Sequence, residues 1–268
     1  MLKSNIRNIL QKFGYDIVKT PTYKYGKQFK KNSDDPNLDY YETPIGNYYF
    51  PKNSTSDSVA NTIKRGNLFD EPIINIAKTF IRPNTAILDI GANYGQMSIE
   101  FSRIAPSCQI YAFEAQEMVY HILDKNLKAN NANNVTSFYN AVYDKNDIEL
   151  VFPVPDLVRF PSYGSYGIDI NAKTGKIVKS LAIDSLDFSL PISFMKIDIQ
   201  GSDLAAMKGA VNTIKKHQMP IIFEYEEQFQ REFNTSFQDY VDFVDSIGYQ
   251  FVKTVQDINY LIQPRKRS

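Results

Sequence analysis

Residues 87–95 read Ile87-Leu88-Asp89-Ile90-Gly91-Ala92-Asn93-Tyr94-Gly95. An apolar strand runs into a glycine turn, and the helical spacing of apolar residues over 94–104 continues it as a helix. In an open α/β sheet ligands bind outside the carboxyl ends of the strands, and the first strand-to-helix turn is a usual place. Glycine in that turn lets a ligand approach the backbone with no Cβ in the way.

The pattern repeats outward from this turn. Strands are expected over 85–90, 109–113, 135–139, 193–199 and 220–225, with helices over 117–130, 202–217 and 236–247. Strands over 249–255 and 258–262 close the chain antiparallel around Gln256-Asp257. The fold class is therefore α/β, a doubly wound, mostly parallel sheet with an antiparallel C-terminal strand. Upstream, Asp57 caps a short helix ending at Gly66, and a second helix covers 69–81. Residues 40–43 and 47–50 read as a hairpin, and Leu2, Ile6, Ile9, Leu10 and Phe13 as one face of an amphipathic helix. Residues 1–55 thus form an N-terminal helical and hairpin extension with a basic loop, and 56–268 the main domain. Between 144 and 186 the alternation lapses into a Pro-, Tyr- and Gly-rich stretch of short strands and a functional loop.

The turn also narrows the ligand. A dinucleotide phosphate loop needs glycine at 91, 93 and 96, and this chain has Gly91, Asn93 and Gln96. Asp89 brings negative charge, which suits a cationic or amine-bearing group better than a pyrophosphate. Glu114 ends the second strand, where a carboxylate can accept both ribose hydroxyls. Asn140-Ala141 follow the third strand, where a polar side chain can read an adenine edge. An adenosine with a positively charged amino-acid tail and no phosphate describes S-adenosylmethionine. Asp89, Gly91, Asn93, Gly95, Glu114, Asn140 and Ala141 are the candidate cofactor residues.

On these residues the chain resembles the FkbM type of class I methyltransferase. Residues 89–95 resemble its D-[VI]-G-A-N-x-G, and Phe113-Glu114-Ala115 its F-E-P/A. Ile183-Asp184-Ser185-Leu186 and Lys208-Gly209-Ala210 resemble later elements, as do Pro220-Ile221-Ile222-Phe223-Glu224. Lys196-Ile197-Asp198-Ile199-Gln200-Gly201-Ser202-Asp203 resembles K-[IV]-D-[VI]-[EQ]-G-x-[DE], with Gln200 where many relatives have Glu. The resemblance covers about residues 55–250. It implies a Rossmann-like methyltransferase domain and O-methylation of a polyketide or sugar hydroxyl. A sugar or nucleotide-activated sugar destined for a surface glycan is the expected acceptor.

Asp198 then falls at the carboxyl end of strand four, beside the first strand, with Lys196 on the same face and Glu224 at the end of strand five. A sugar hydroxyl is a weak nucleophile, so a general base helps. Asp198 is the best candidate, with Glu224 and Lys196 as the other catalytic candidates. Asp198, Asp203 and Glu224 are also hard oxygen ligands for a divalent ion, but their spacing assigns no metal. Tyr163, Ser165 and Tyr166 offer hydroxyls and aromatic faces to a polyol. The Lys64-Arg65 pair reads as a solvated face, and His217 as a surface or capping residue.

Composition excludes several classes. Lys+Arg and Asp+Glu both number 30, so the chain lacks the basic excess of a general nucleic-acid binder. Cys108 is the lone cysteine, and His121 and His217 are the two histidines, which leaves no disulfide framework and no Cys/His zinc site. No apolar run approaches the ~20 residues of a membrane span, and residues 1–13 lack a secretory signal's apolar core. A cytoplasmic location follows by default, with homo-oligomer formation through the N-terminal helix. Two other readings stand beside the transferase. An NAD-dependent nucleotide-sugar oxidoreductase would need the missing phosphate-loop glycines. A non-catalytic adapter would bind glycan or RNA through the Tyr/Lys-rich N-terminal region and turn over no cofactor.

Overall fold

The structure is a computed structural model that describes residues 29–52, 54–154 and 162–266, with Ser165 described by its backbone alone. The N-terminal amphipathic helix, most of the basic loop, and residues 155–161 of the Pro-, Tyr- and Gly-rich stretch lie outside the described residues.

The first elements are β1 (Lys30–Lys31), β2 (Leu38–Thr43) and β3 (Gly46–Pro51), a small antiparallel sheet containing the expected hairpin. Helices α1 (Ser58–Lys64) and α2 (Glu71–Lys78) follow. Asp57 caps α1 by accepting from the Ala60 N–H at 2.8 Å. The main unit then runs β4 (Ala86–Ile90), α3 (Gln96–Ile104), β5 (Gln109–Glu114), α4 (Glu117–Ala129) and β6 (Val135–Tyr139). After three short strands, β7 (Ala141–Val142), β8 (Glu149–Phe152) and β9 (Lys176–Leu181), come β10 (Ile192–Ile197), α5 (Asp203–Lys208) and α6 (Val211–His217). The chain finishes with β11 (Ile221–Glu224), α7 (Glu227–Phe233), α8 (Phe237–Ser246), β12 (Tyr249–Val255) and β13 (Asn259–Pro264).

Seven strands form the central sheet in the order β12-β13-β11-β10-β4-β5-β6. β4 pairs parallel with both β10 and β5, and β13 runs antiparallel between β11 and β12. The strand order reverses at β4 and β10, which opens a crevice at their carboxyl ends. Both faces are covered. Leu88, Ile90, Met195 and Ile197 pack toward α5, α6 and α8, while Ile87 and Phe194 pack toward α2 and α3. Parallel strands buried on both faces need the near-continuous apolar runs seen in β4 and β10. Register places Asp89 opposite Lys196, so these two charged residues share one face of otherwise apolar strands.

Three local features depart from the sequence reading. The helix expected over 202–217 breaks into α5 and α6 at Gly209, where a Cβ would collide with the Tyr143 carbonyl. Asp184 starts the second piece, accepting from the Asn212 and Thr213 N–H groups at 2.9 and 2.7 Å and so satisfying free helix-end donors. α7 is short, and its sequence shows no long apolar period. Lys64 is not on a solvated face. It is 5% exposed, donates to the Ser54 Oγ at 2.7 Å and lies over the Tyr41 and Phe50 rings. Burial lowers its pKa to about 8.

The hairpin is stitched to the main unit. Asn126 of α4 accepts from the Tyr49 N–H at 2.6 Å and donates to the Tyr94 carbonyl at 2.8 Å. Asn130 accepts from the Asn47 N–H at 2.9 Å, and the Phe50 ring meets Tyr94 edge-on at 5.2 Å. Tyr41, Tyr48 and Phe50 share one apolar cluster with Ala92, Tyr94 and Leu123. Among the described residues no helix is long and apolar enough to cross a membrane.

Candidate active site

The glycine turn after β4 is built from left-handed residues. Gly91, Asn93 and Gly95 have φ of 79°, 50° and 86°. Glycine takes such angles without cost and Asn tolerates them better than most. The Gly91 and Ala92 N–H groups donate to the Phe113 carbonyl at 2.9 and 2.8 Å. From the other side, Lys196 Nζ donates to the Gly91 carbonyl at 2.7 Å. The turn is thus clamped between β5 and β10.

Glu114 is aimed by the same turn. Its Oε2 accepts from the Asn93 N–H at 2.9 Å and its Oε1 from the Gln116 N–H at 2.8 Å. Desolvation pushes its pKa up, against the pull of those two N–H groups. Each carboxylate oxygen keeps a further acceptor position. The Asn93 Oδ1 is a buried acceptor without a hydrogen-bond partner among the described residues. Gly91, Asn93, Glu114, Asn140 and Ala141 line one pocket with apolar Phe113, Val119 and Ile168. Apolar walls, two aimed carboxylate oxygens and an orphaned acceptor fit a nucleoside with vicinal hydroxyls and a cationic tail. The pocket is narrow, about 60 Å³. Gly164 packs on the Asn93 side chain, and the Tyr163 N–H is held at 3.1 Å by Asp57. Small-molecule pockets run to about 300–1,000 Å³, well above this volume.

A second cavity of about 750 Å³ adjoins it, sharing Gly91, Asn93, Asp198 and Gln200. Here the ends of β10 and β11 meet. Gln200, with φ of 53°, donates from one Nε2 to Asp198 Oδ1 at 3.1 Å and to Glu224 Oε2 at 3.0 Å. Burial, then the neighbouring Asp198 and Asp203, raise the Glu224 pKa to about 11, so this carboxyl keeps its proton. Asp203 lies fully buried behind them, pushed up to about 7, with Oδ2 accepting from the Gly201 N–H. Asp70 on the opposite wall is raised to about 6 by burial and by Asp198.

Several sequence assignments change place. Asp89 is not on the pocket wall. It is fully buried beneath the turn, taking a hydrogen bond from Ser98 and lying 3.6 Å from Lys196 Nζ, so its charge is spent inside the protein. Lys196, a catalytic candidate from the sequence, is buried between Asp89 and Asp198 at 3.6 Å from each and lines the larger cavity. Burial opposes its charge, but Asp198, Asp89 and Asp70 outweigh that and raise its pKa. Gly95 starts α3 and packs on Leu123 away from the pocket. Asn140 lines the pocket, yet its Nδ2 donates to the Lys179 carbonyl at 3.2 Å. Tyr163 lines the smaller pocket alone and Tyr166 lines both cavities, while the Ser165 side chain lies outside the described residues. Among the described residues no group of three or more His, Cys, Asp or Glu side chains is arranged to hold a metal ion, so Asp198, Asp203 and Glu224 do not form the ligand set considered above. His217 accepts from the Ile192 N–H through Nδ1 at 3.1 Å and is a structural residue.

Asp57 was legible only as a cap. Its Oδ2 also accepts from the Tyr94 hydroxyl at 3.0 Å, so one carboxylate ties α1 to the glycine turn and to Tyr163. Asp70 and Gln96 also enter the site without a sequence signal beyond their nearness to the turn.

The family model described as "Methyltransferase FkbM domain" matches residues 89–251, more than half of the chain. No curated protein matches. A solved FkbM methyltransferase from Methylobacillus flagellatus is 18% identical with a TM-score of 0.46, over 76% of this chain and 52% of that one. The chain thus spans about half the length of that relative. A putative caffeoyl-CoA O-methyltransferase from Staphylococcus aureus is 14% identical, TM-score 0.47, over 78% of this chain and 93% of that one. A putative methyltransferase from Streptococcus mutans, solved in complex with SAH, is 12% identical, TM-score 0.44, over 72% and 94%. With its glycine turn, its aimed Glu114 and its paired carboxyl groups all inside the matched residues, the chain belongs to the FkbM methyltransferase family.

Proposed function

We propose that the chain is an S-adenosylmethionine-dependent O-methyltransferase acting on a hydroxyl of a sugar or nucleotide-activated sugar. The observation that carries this reading is the Asp198–Gln200–Glu224 array, which stands where the nucleoside pocket opens into the larger cavity. When bound, S-adenosylmethionine supplies an electrophilic methyl group. Glu114 accepts from the ribose hydroxyls, and Asn93 Oδ1 takes a donor from the cofactor's tail. Asp198 faces the acceptor and takes the hydroxyl proton as general base. Gln200 fixes its carboxylate, and the protonated Glu224 beside it adds no second negative charge at the reacting end. Lys196 holds Asp198 and the Gly91 carbonyl in one frame, so base and cofactor pocket keep a fixed separation. Such alignment can lower a barrier by several kcal/mol, and a placed base is worth about 10²–10⁴-fold.

The test is methyl transfer from labelled S-adenosylmethionine to a panel of sugars and nucleotide sugars, with calorimetric binding of S-adenosylhomocysteine alongside. Transfer to a hydroxyl supports the reading. Absence of S-adenosylhomocysteine binding, or tight NAD binding in its place, overturns it.

A further inference from the structure

Asp57 is fully buried, and its two oxygens serve different parts of the chain. Oδ1 accepts from the Ala60 N–H at 2.8 Å and caps α1. Such a cap requires one acceptor, and a serine or asparagine supplies it as well as an aspartate does. Oδ2 serves segments far along the sequence. It accepts from the Tyr94 hydroxyl at 3.0 Å and from the Tyr163 N–H at 3.1 Å. Burying a carboxylate costs free energy unless its oxygens are hydrogen-bonded, so these two donors, and not the cap, account for the second oxygen.

The two donors belong to separate stretches of one pocket's wall. Tyr94 follows Asn93 in the glycine turn, and Asn93 and Tyr163 both line the smaller pocket. Asp57 lines neither cavity. From outside the pocket it gathers the turn and the Tyr163 segment onto a single oxygen.

The segment it holds is shared by the two cavities, since Gly164, Tyr166 and Gly167 line both. A Cβ on Gly164 would collide with the Asn93 amide nitrogen, and one on Gly167 would meet the Gln200 and Ile199 carbonyls at 3.0 and 3.2 Å. Residues 163–167 therefore lie as a strap from the cofactor turn at Asn93 to the Gln200 turn beside Asp198, with glycine at each close approach. The Asp57 oxygen anchors the first residue of that strap.

We propose that Asp57 is a positioning residue for cofactor binding. Its Oδ2 sets the spacing between the glycine turn and the 163–167 strap, and thereby the fit of the nucleoside between Asn93 and Tyr163. This role rests on the S-adenosylmethionine reading of the pocket. Asp57 touches no ligand and acts through Tyr94 and Tyr163. The effect is reciprocal: if the Asp57–Tyr163 bond favours the cofactor, the bound cofactor favours that bond.

The experiment uses the full chain, with S-adenosylhomocysteine affinity read by calorimetry and exchange of the Tyr163 amide hydrogen read by NMR. Asp57→Asn keeps an oxygen for the α1 cap but sets an NH2 group against the Tyr163 N–H. Affinity should fall about tenfold, the scale of one lost hydrogen bond, and the Tyr163 amide should exchange faster. Asp57→Ser, which caps the helix and has no second oxygen, should behave alike. Asn61→Ala is the structural control. It deletes a 2.8 Å hydrogen bond from the same helix to the Thr55 carbonyl, so it should lower stability and leave the affinity unchanged. In the wild-type chain S-adenosylhomocysteine should slow Tyr163 exchange, a readout that needs no variant to fold. Wild-type affinity in a folded Asp57 variant, an equal loss in Asn61→Ala, or Tyr163 exchange that ignores bound S-adenosylhomocysteine overturns the assignment and leaves the methyltransferase reading standing. A wild-type chain that does not bind S-adenosylhomocysteine brings down both.

Discussion

Gly91 lies against the Asp198 carbonyl so closely that a Cβ at position 91 would overlap that oxygen. Its φ of 79° adds a second penalty for any side chain. Gly91→Ala must therefore push β4 and β10 apart where the two pockets meet. S-adenosylhomocysteine affinity should fall by more than tenfold, and the free energy of unfolding should drop by more than ~1 kcal/mol, since alanine destabilises where the native φ excludes a side chain. Calorimetry and denaturant titration on the same protein check both. Unchanged binding would mean that the turn does not hold the cofactor.

Glu114→Ala removes the one carboxylate that faces the nucleoside pocket with both oxygens aimed by backbone N–H groups. Cofactor-product affinity should weaken by about 1.5–3 kcal/mol, the range for hydrogen bonds to charged groups. Wild-type affinity in this variant would remove Glu114 from the ribose site.

Asp198→Asn keeps the shape and deletes the charge. Turnover should fall about 10²-fold or more, while S-adenosylhomocysteine binding changes little because Glu114 and the glycine turn are untouched. Gln200→Leu should give a smaller loss in turnover, since it leaves the base present but no longer tethered to Glu224. Normal turnover in Asp198→Asn would return this residue to a structural ion pair with Lys196.

Lys196→Met strands Asp89 and Asp198 without their shared cation. Breaking a buried pair from one side costs about 3–5 kcal/mol, so the variant should unfold at clearly lower denaturant. A fold as stable as wild type would show that Asp89 is satisfied by Ser98 alone.

Stability should fall as pH rises. Asp203 is raised from 3.8 to about 7 and Glu224 from 4.5 to about 11, so the folded chain holds protons that the unfolded chain has released. The Asp203 contribution is complete below its unfolded value and is lost as pH climbs through about 7. Glu224 acts in the same direction across the whole of that range. The melting temperature should decline between about pH 4 and about pH 8, and Asp203→Asn should decline less steeply. Equal slopes in the two proteins would contradict the burial of an unpaired Asp203 oxygen.

The sheet was readable because its strands are buried on both faces. Ile87 to Ile90 and Ile192 to Ile197 carry apolar runs that a helix surface would not tolerate, and Gly91 and Gly95 mark the turn between. Reading strand ends placed Gly91, Asn93 and Glu114 together, and all three line the smaller pocket. Asp89 illustrates what such reasoning lacks. Strand position put it near the turn, but only the register with Lys196 and the reach of Ser98 show that its carboxylate points inward. Lys64 failed for the opposite reason, since a lysine beside an arginine looks solvated until Tyr41, Phe50 and Ser54 are brought around it from an earlier part of the chain. The Gln200 side chain reaches Glu224, 24 positions on, while the same nitrogen holds Asp198, and no spacing rule announces that.

The stitching of the hairpin to α4 bears on how this protein can be cut and recombined. Its aromatic residues fill the cluster beneath Tyr94, and Asn126 holds Tyr49 and Tyr94 with one side chain. A fragment begun at residue 56 would expose that cluster and leave the Asn126 amide half unpaired, with the glycine turn next to the wound. Swapping this hairpin between relatives would therefore require exchanging the facing side of α4 as well. The two segments form one packing unit, though residue 47 and residue 130 are separated by 83 positions of sequence.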